Sequence, residues 1–286
     1  MKQTVQDFFA QFPDDEACVA HLFDVRFGQG HECPKCERKA RWYRIAAERA
    51  FSCQWCGHHI HPTVGTPFEA SRTSLQLWFY AIFLFTKSRN GVSAKELQRQ
   101  LGVTYKCAHR MGHEIREHMA TVDGEQPLDW IVEADETFIG GKKKSKGRPG
   151  RGALKDIVFG MIERNGDVMT LVVPDTKRAT LHKLIVENVK PGTTIYTDGL
   201  VSYEGLTKLG FKHETIDKDR DGYARMGVHI NNIESFWRQL KAGINGTYVW
   251  VSSKHLGKYA KEFEFRFNRR SCPERMLPEL LSVFPS

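Results

Sequence analysis

Four of the seven cysteines in this 286-residue chain fall in two matched pairs, Cys33-Pro-Lys-Cys36 and Cys53-Gln-Trp-Cys56, with residues 37–52 between them. Each CxxC pair sets two thiolates on one tight turn. Two such knuckles at ribbon spacing close a tetrahedral four-sulfur site around one structural Zn²⁺, leaving no coordination position open for catalysis. The intervening ARWYRIAAERAFSC has the aromatic, strand-like texture of a ribbon hairpin, and Gly57 suits the second knuckle. His58, His59 and His61 are potential substitute ligands, but four sulfurs already fill the site, so they are read as surface or DNA-facing residues. Cys18, Cys107 and Cys272 follow no metal or redox spacing and are read as packing residues.

The second chemistry is carried by carboxylates. Asp135 lies in the strand-like run WIVEADETFIG, Asp198 ends the run TTIYTD, and Glu234 opens the helical run NNIESFWRQLKAGI. Such groups suit hard cations, Mg²⁺ or Mn²⁺, and a pair of these can activate an attacking oxygen and stabilise a leaving one in phosphodiester chemistry. Uncompensated, each pair of carboxylates at 4 Å would repel by roughly 4 kcal/mol at an effective dielectric of 20. Asp135 has two rivals. Strand alternation puts Glu133 on its own face and Glu136 on the other. For Asp198 the rival reading is an ordinary Asp-Gly turn, and for Glu234 it is a capping residue paired with an N-cap Asn231. On the helix, Ile233, Phe236, Trp237, Leu240 and Ile244 share an apolar arc, with Glu234, Arg238 and Lys241 in a stripe beside it. That stripe places a metal-binding acid and phosphate-binding cations on one edge.

The elements that must position these groups form an α/β chain in several parts. Residues 1–30 read as a helical lead-in, 31–62 as the zinc ribbon, 71–122 as a helix-turn-helix region, 128–270 as an RNase H-like catalytic domain and 271–286 as a C-terminal tail. From residue 128 the order is three strands, helix, strand, helix, strand, helix, with Asn165-Gly166 a strong hairpin turn. Hydrophobic residues at 41% and charged ones at 27% are ordinary globular values, so most of the chain should fold. The net charge of +8 favours a polyanionic partner. The N-terminal segment lacks a signal-peptide core. The most apolar run, Leu75 to Phe85, falls short of the roughly 18 residues that span a bilayer and reads as a buried helix. Free thiols in metal-binding pairs suit a reducing compartment, the cytoplasm.

Ser93-Ala-Lys-Glu96 reads as a capping box, Gly102 as the turn after it and Thr104 as the cap of a second helix. That helix would present Tyr105, Lys106, His109 and Arg110 near its start, where recognition helices enter the major groove; the alternative is a helical linker. GGKKKSKGRPGRG (140–152) holds six Lys or Arg, five glycines and no acid. Directly after the Asp135 strand, Lys142, Lys143, Lys144, Lys146 and Arg148 read as a DNA-gripping arm rather than a solvated loop. Arg266, Arg269 and Arg270 form a second basic candidate, with the interleaved Phe residues read as core.

With these residues in place, the chain resembles the DDE transposases of bacterial insertion sequences that carry an N-terminal zinc ribbon. The resemblance runs from about Cys33 to Arg270. Its strongest stretches are EADETFIGGK (133–142), YTDGLVSY (196–203), HINNIESFWRQLKAGINGTY (229–248) and EFEFRFNRR (262–270). It implies an acidic triad at Asp135, Asp198 and Glu234, with a lysine seven residues after the third, Lys241. It further implies metal-dependent cleavage and strand transfer at the element's terminal inverted repeats and into target DNA, by a homodimer or higher oligomer at the nucleoid. The competing functions are a structure-selective nuclease of the same fold and a domesticated DNA-binding regulator. The ribbon and helix-turn-helix weigh against the first, the intact triad against the second.

Overall fold

The chain opens with two capped helices. Thr4 and Asp7 form a reciprocal capping box on α1 (Val5–Gln11), and the Asp14 carboxylate accepts the Ala17 amide to start α2 (Asp15–Arg26). The computed structural model describes residues 4–124, 126–140, 155–217, 224 and 227–284. They divide between two units, residues 1–122 with 272–286, and residues 123–271.

In the first unit, β1 (Trp42–Ile45), β2 (Ala50–Cys53) and β3 (His59–Ile60) make an antiparallel ribbon. The ribbon is fastened to α2: Phe51 stacks on Phe23 with ring centroids 3.9 Å apart, and Arg44 and Arg49 donate to Glu16 and Asp15. Helix α3 (Leu75–Lys87) buries Leu75, Trp78, Phe79, Ile82, Phe83 and Phe85. None of the described helices is long and apolar enough to cross a membrane. Helix α4 (Ala94–Leu101) starts with the Ser93 hydroxyl accepting the Glu96 amide. The Glu96 carboxylate turns to Arg99 and Gln100, so only one side of the capping box forms. Gly102 closes α4 at φ 66°, and Thr104 accepts the Cys107 amide to start α5 (Tyr105–Asp123).

The stretch 271–286, read above as a tail, contributes helix α9 (Met276–Ser282), whose Leu277, Leu280 and Leu281 are buried. It packs against α2 and α3, and His21 of α2 and His118 of α5 donate to the carbonyls of Leu281 and Leu280 at 2.9 and 2.8 Å.

The second unit is a five-stranded sheet with helices on both faces. Strands β4 (Ile131–Ile139), β5 (Asp156–Glu163) and β6 (Val168–Val173) form an antiparallel meander. Helix α6 (Arg178–Asn188) then leads to β7 (Thr194–Asp198) and β8 (Lys212–Ile216). The order is β6-β5-β4-β7-β8, with β7 parallel to both β4 and β8. This is the RNase H-like arrangement expected from the element order. Asn165 takes φ 62° in the β5–β6 hairpin, as its turn residue must.

Between β7 and β8 the expected helix is replaced by two short 3₁₀ turns, Val201–Tyr203 and Leu206–Leu209. Gly205 and Gly210, at φ 95° and 91°, cut the segment before a full helix can propagate. Beyond the sheet come α7 (Asn231–Gly243), a π-helical turn over Ile244–Tyr248, and α8 (Ser253–Asn268). Alternate β4 residues divide between two cores. Ile131 and Ile139 face α7 and α8, whereas Val132 and Ala134 face α6.

Candidate catalytic and metal sites

Asp135 and Asp198 are brought side by side by strand register. β4 and β7 run parallel, with Ile131 opposite Thr194 and Glu133 opposite Tyr196. Two residues further along each strand lie Asp135 and Asp198, on strands about 4.8 Å apart. Tyr196 belongs to the α7 face, so Asp198, two residues on, shares that face with Asp135. Asp198 Oδ1 accepts the Leu200 amide at 3.0 Å, which fixes its side chain at the strand end. The turn reading of Asp198 is therefore also fulfilled, and it leaves the other carboxylate oxygen to the site.

Glu234 lies in the first turn of α7, half-buried, and the helix is placed by two contacts from β4. The fully buried Glu133 accepts the backbone amides of Asn232 and Ile233 at 2.9 and 3.2 Å, and the Asn232 side chain at 2.8 Å. One turn further on, Trp237 Nε1 donates to Asp135 Oδ2 at 3.0 Å. The N-cap position is Ile230, not Asn231, and no side chain of the helix itself caps it. Glu133 supplies the missing acceptor from about 100 residues away in sequence, a charge well suited to the helix N-terminus. Arg164 Nε and His229 Nδ1 close on the same carboxylate at 3.0 and 3.1 Å. Glu133 is thus fully engaged in holding α7.

Glu136 turns to the opposite face, where it accepts the buried Tyr203 hydroxyl at 2.6 Å. Asp135 remains as the β4 carboxylate facing Asp198. Its pKa is pushed up to about 7, first by burial and then by the charges of Glu136 and Asp198, against the lowering effect of the Trp237 N–H. A carboxyl so crowded binds either a proton or a cation. Hard oxygen donors around it fit a divalent metal. Among the described residues, the three carboxylates do not form a cluster with every ligand atom within 4.8 Å of the others, whereas the four cysteines do.

In the ribbon, the Cys33–Cys56 and Cys36–Cys53 sulfurs are 3.6 and 3.9 Å apart. A tetrahedron of 2.3 Å Zn–S bonds has edges of about 3.8 Å, so the ligand cage already has the size zinc needs. Burial raises the Cys33 thiol, but the amides of Cys36 and Lys35 outweigh it and hold the thiol down to about 7. Burial and the neighbouring sulfurs push Cys36 up to about 12. The two knuckles share a backbone: Glu37 and Gly57 each donate to the first cysteine's carbonyl with φ at 54° and 67°.

The remaining candidates are spread out. Lys241 is exposed two turns beyond Glu234, at the rim of a cavity of about 190 Å³, and exposed Arg238 donates to Ser235. Tyr105, Lys106, His109 and Arg110 are all exposed on α5, but not equally available. Lys95 lies 4.9 Å over the Tyr105 ring, and His109 meets His113 at 3.3 Å between Nε2 atoms. Arg110 donates to Ser71 and packs over Trp78. Lys142, Lys143, Lys144, Lys146 and Arg148 lie outside the described residues. Of the second basic candidate, Arg266 is buried on Glu262, Arg269 pairs with Asp123, and the exposed Arg270 packs on Phe267 and donates to the Gly166 carbonyl.

Comparison with known proteins assigns the family. The ISXO2-like transposase domain matches residues 127–268, and the transposase zinc-ribbon domain matches residues 13–59. An uncharacterized transposase-like protein of Haemophilus influenzae is 37% identical over 101 residues, which cover 35% of this chain and 80% of that protein. The chain belongs to the ISXO2-like transposase family. A protein of the transposable element ISH50 from Halobacterium salinarum is 24% identical over 274 residues, covering 89% of this chain and 91% of its own. Among solved structures, the Mos1 transposase paired-end complex with left transposon end aligns over 72% of this chain and 80% of that one. Its identity of 12% and TM-score of 0.26 carry no residue correspondence.

In this ISXO2-like transposase, several residues that shape the site were invisible as motifs. Gly160 faces Asp135 across the β4–β5 pair, and a Cβ there would come within 2.5 Å of the Trp237 ring. Trp237 can lie across the sheet and reach Asp135 only because position 160 has no side chain. Trp237 itself reads as one more apolar-arc residue, and Arg164 as part of a hairpin. The one available hint was Glu133, an acid at a strand position that alternation sends inward.

Proposed function

We propose that the chain is an active DDE transposase that binds the terminal inverted repeats of its own element and carries out metal-dependent cleavage and strand transfer. The observation that carries this reading is the juxtaposition of Asp135 and Asp198 on adjacent parallel strands. Over that edge, β4 itself fixes the helix bearing Glu234. Family membership gives the same reading a second, independent support.

Asp135, Asp198 and Glu234 would hold Mg²⁺ or Mn²⁺. Bound there, the metal supplies activation of the attacking oxygen and charge neutralisation of the leaving one. The protein's own contributions are positional. Trp237 orients Asp135 through one oxygen and leaves the other toward the site, and the Leu200 amide does the same for Asp198. Glu133 fixes the first turn of α7, and with it the height of Glu234 over the sheet. Lys241, about 10 Å along the helix from Glu234, and Arg238 between them bind the phosphates flanking the scissile bond.

End recognition falls to α5, with Tyr105, Lys106, His109 and Arg110 toward the major groove, after a short helix and a glycine turn. Of these, Lys106 is the best candidate for a direct contact, since the other three already touch protein side chains. The 142–148 lysines and arginine add grip without sequence preference, and the ribbon's one Zn²⁺ is structural. Two copies acting on two ends make the working form a homodimer or larger, in the cytoplasm at the nucleoid.

The test is cleavage of a pre-nicked terminal-repeat substrate in Mg²⁺, beside a gel shift on the same DNA. Asp135→Asn and Asp198→Asn should each abolish cleavage with end binding retained. Near-normal cleavage by Asp135→Asn would sink the assignment.

A further inference from the structure

Just past α7 the chain makes a turn that the catalytic reading leaves unused. Tyr248 is tied down: its hydroxyl donates to both oxygens of the buried Glu262 at 2.7 and 2.8 Å, and Glu262 is held in turn by the buried Arg266. Val251, three residues on, is buried. Between these anchors Val249 and Trp250 are thrust outward, 77% and 71% exposed. Val249 sits at φ 64°, ψ −44°, and the Trp250 amide donates to the Tyr248 carbonyl at 2.7 Å. That is the rare, strained hand of the γ-turn, and a β-branched residue is the costliest choice for it. A strained turn held rigidly by a buried ion pair, with an indole at its tip, is built for display. The π-helical ending of the preceding helix is another irregularity that gathers at functional sites.

Trp250 forms one side of the 190 Å³ cavity, with Phe138, Asn245 and Lys241 on others. The position is close to the carboxylates. Ile139, on the cavity wall, is four residues beyond Asp135 on β4, a span of about 13 Å, or some four stacked nucleotides. An aromatic face, a cation at the rim and a side-chain amide in the wall suit a flat base attached to a phosphate. A protein partner is a poorer fit, because three exposed apolar side chains fall well short of the about 800 Å² per partner that a stable interface buries.

We propose that the Tyr248–Trp250 turn is a stacking platform for an unpaired nucleobase of the strand held at the carboxylate site. The inference rests on the transposase reading for the identity of that strand, but its own binding test does not. The full chain is titrated by fluorescence anisotropy with an oligothymidylate single strand and with an abasic strand of equal length. Wild type should prefer the strand with bases by about tenfold or more. Trp250→Ala should lose that preference by binding the base-containing strand more weakly, and Trp250→Phe should keep most of it. Trp250 is exposed, so an unchanged melting temperature verifies that both variants fold. A Trp250→Ala protein that retains the preference, or a wild type that lacks it, overturns the platform. So does a Trp250→Ala protein that becomes monomeric while keeping its preference, which would make the patch a contact between copies. Cleavage of the terminal-repeat substrate by wild type, measured in parallel, tells failure of the platform from failure of the transposase reading.

Discussion

The four cysteines and the three candidate carboxylates are both sets of potential metal ligands, and they are brought toward one another by opposite routes. In the ribbon, each half of the cage is made within one tight turn, and only a short hairpin separates the halves. The sulfur spacing already matches zinc. The carboxylates come from two strands and a helix spread over residues 135–234, and each is oriented by a separate partner: Trp237 for Asp135, Leu200 for Asp198 and, through the helix, Glu133 for Glu234. A local site can be closed by its metal. A distributed site must be built by the fold first, and the fold then bears the cost of concentrating charge, as the raised Asp135 pKa records.

Removing zinc should therefore give the largest effect. Cys53→Ser or a strong chelator should unfold the ribbon, since structural zinc contributes apparent binding energy of about 10–16 kcal/mol. Elemental analysis and circular dichroism should register zinc loss with unfolding. A fully folded, zinc-free protein would end the structural-zinc side of the comparison. Cleavage metal is expected to behave differently, with Mg²⁺ withdrawal stopping the reaction and leaving the fold intact.

Glu133→Gln should be next. It leaves Arg164 and His229 without their buried anion and weakens the acceptor for the α7 amides, at about 3–5 kcal/mol. Asp135→Asn should cost activity but not stability. Thermal melts beside cleavage assays separate the two, and a Glu133 variant as stable as wild type would show that α7 is held by its apolar face alone.

A smaller and more pointed change is Gly160→Ala. The added methyl must displace Trp237 from the sheet, costing about 1–3 kcal/mol and lowering activity through Asp135 without touching any acid. If that variant cleaves at the wild-type rate, the Trp237–Asp135 bond does not position the site.

Per pH unit, the smallest effect is a slope. Asp135 has a folded pKa of about 7 against 3.8 in a free chain, so between those values the unfolded state sheds its proton while the folded state keeps it. Metal-free stability should then fall as pH rises from about 4 to 7, by up to about 1.4 kcal/mol per unit. Asp135→Asn should flatten that part of the profile, and denaturant melts in a chelating buffer would measure it.

Much of this molecule was legible as sequence because the relevant physics is local. CxxC spacing fixes a knuckle whatever surrounds it. Period-3.6 patterning placed Ile233, Phe236, Trp237, Leu240 and Ile244 on one apolar arc; the first four are buried on α7 and Ile244 is buried in the π-helical turn that follows it. Period-2 alternation sent Glu133 and Asp135 to one face and Glu136 to the other. Where local signals competed, the reading missed. Asn231 looked like a cap, and the segment after Asp198 looked able to hold a helix. Arg266, a candidate for a basic patch, is buried on Glu262.

Tertiary structure alone decided the rest. It gave the acids on β4 different surroundings, because what packs above each one differs: helix amides and Arg164 for Glu133, Tyr203 for Glu136, one indole N–H for Asp135. It set Asp135 beside Asp198 through parallel pairing across 63 positions of chain, a register that no spacing rule encodes. Alternation and helical periodicity are properties of a backbone and its nearest turn, so a sequence states them directly. Charge pairing between distant elements exists only once the sheet has brought them together.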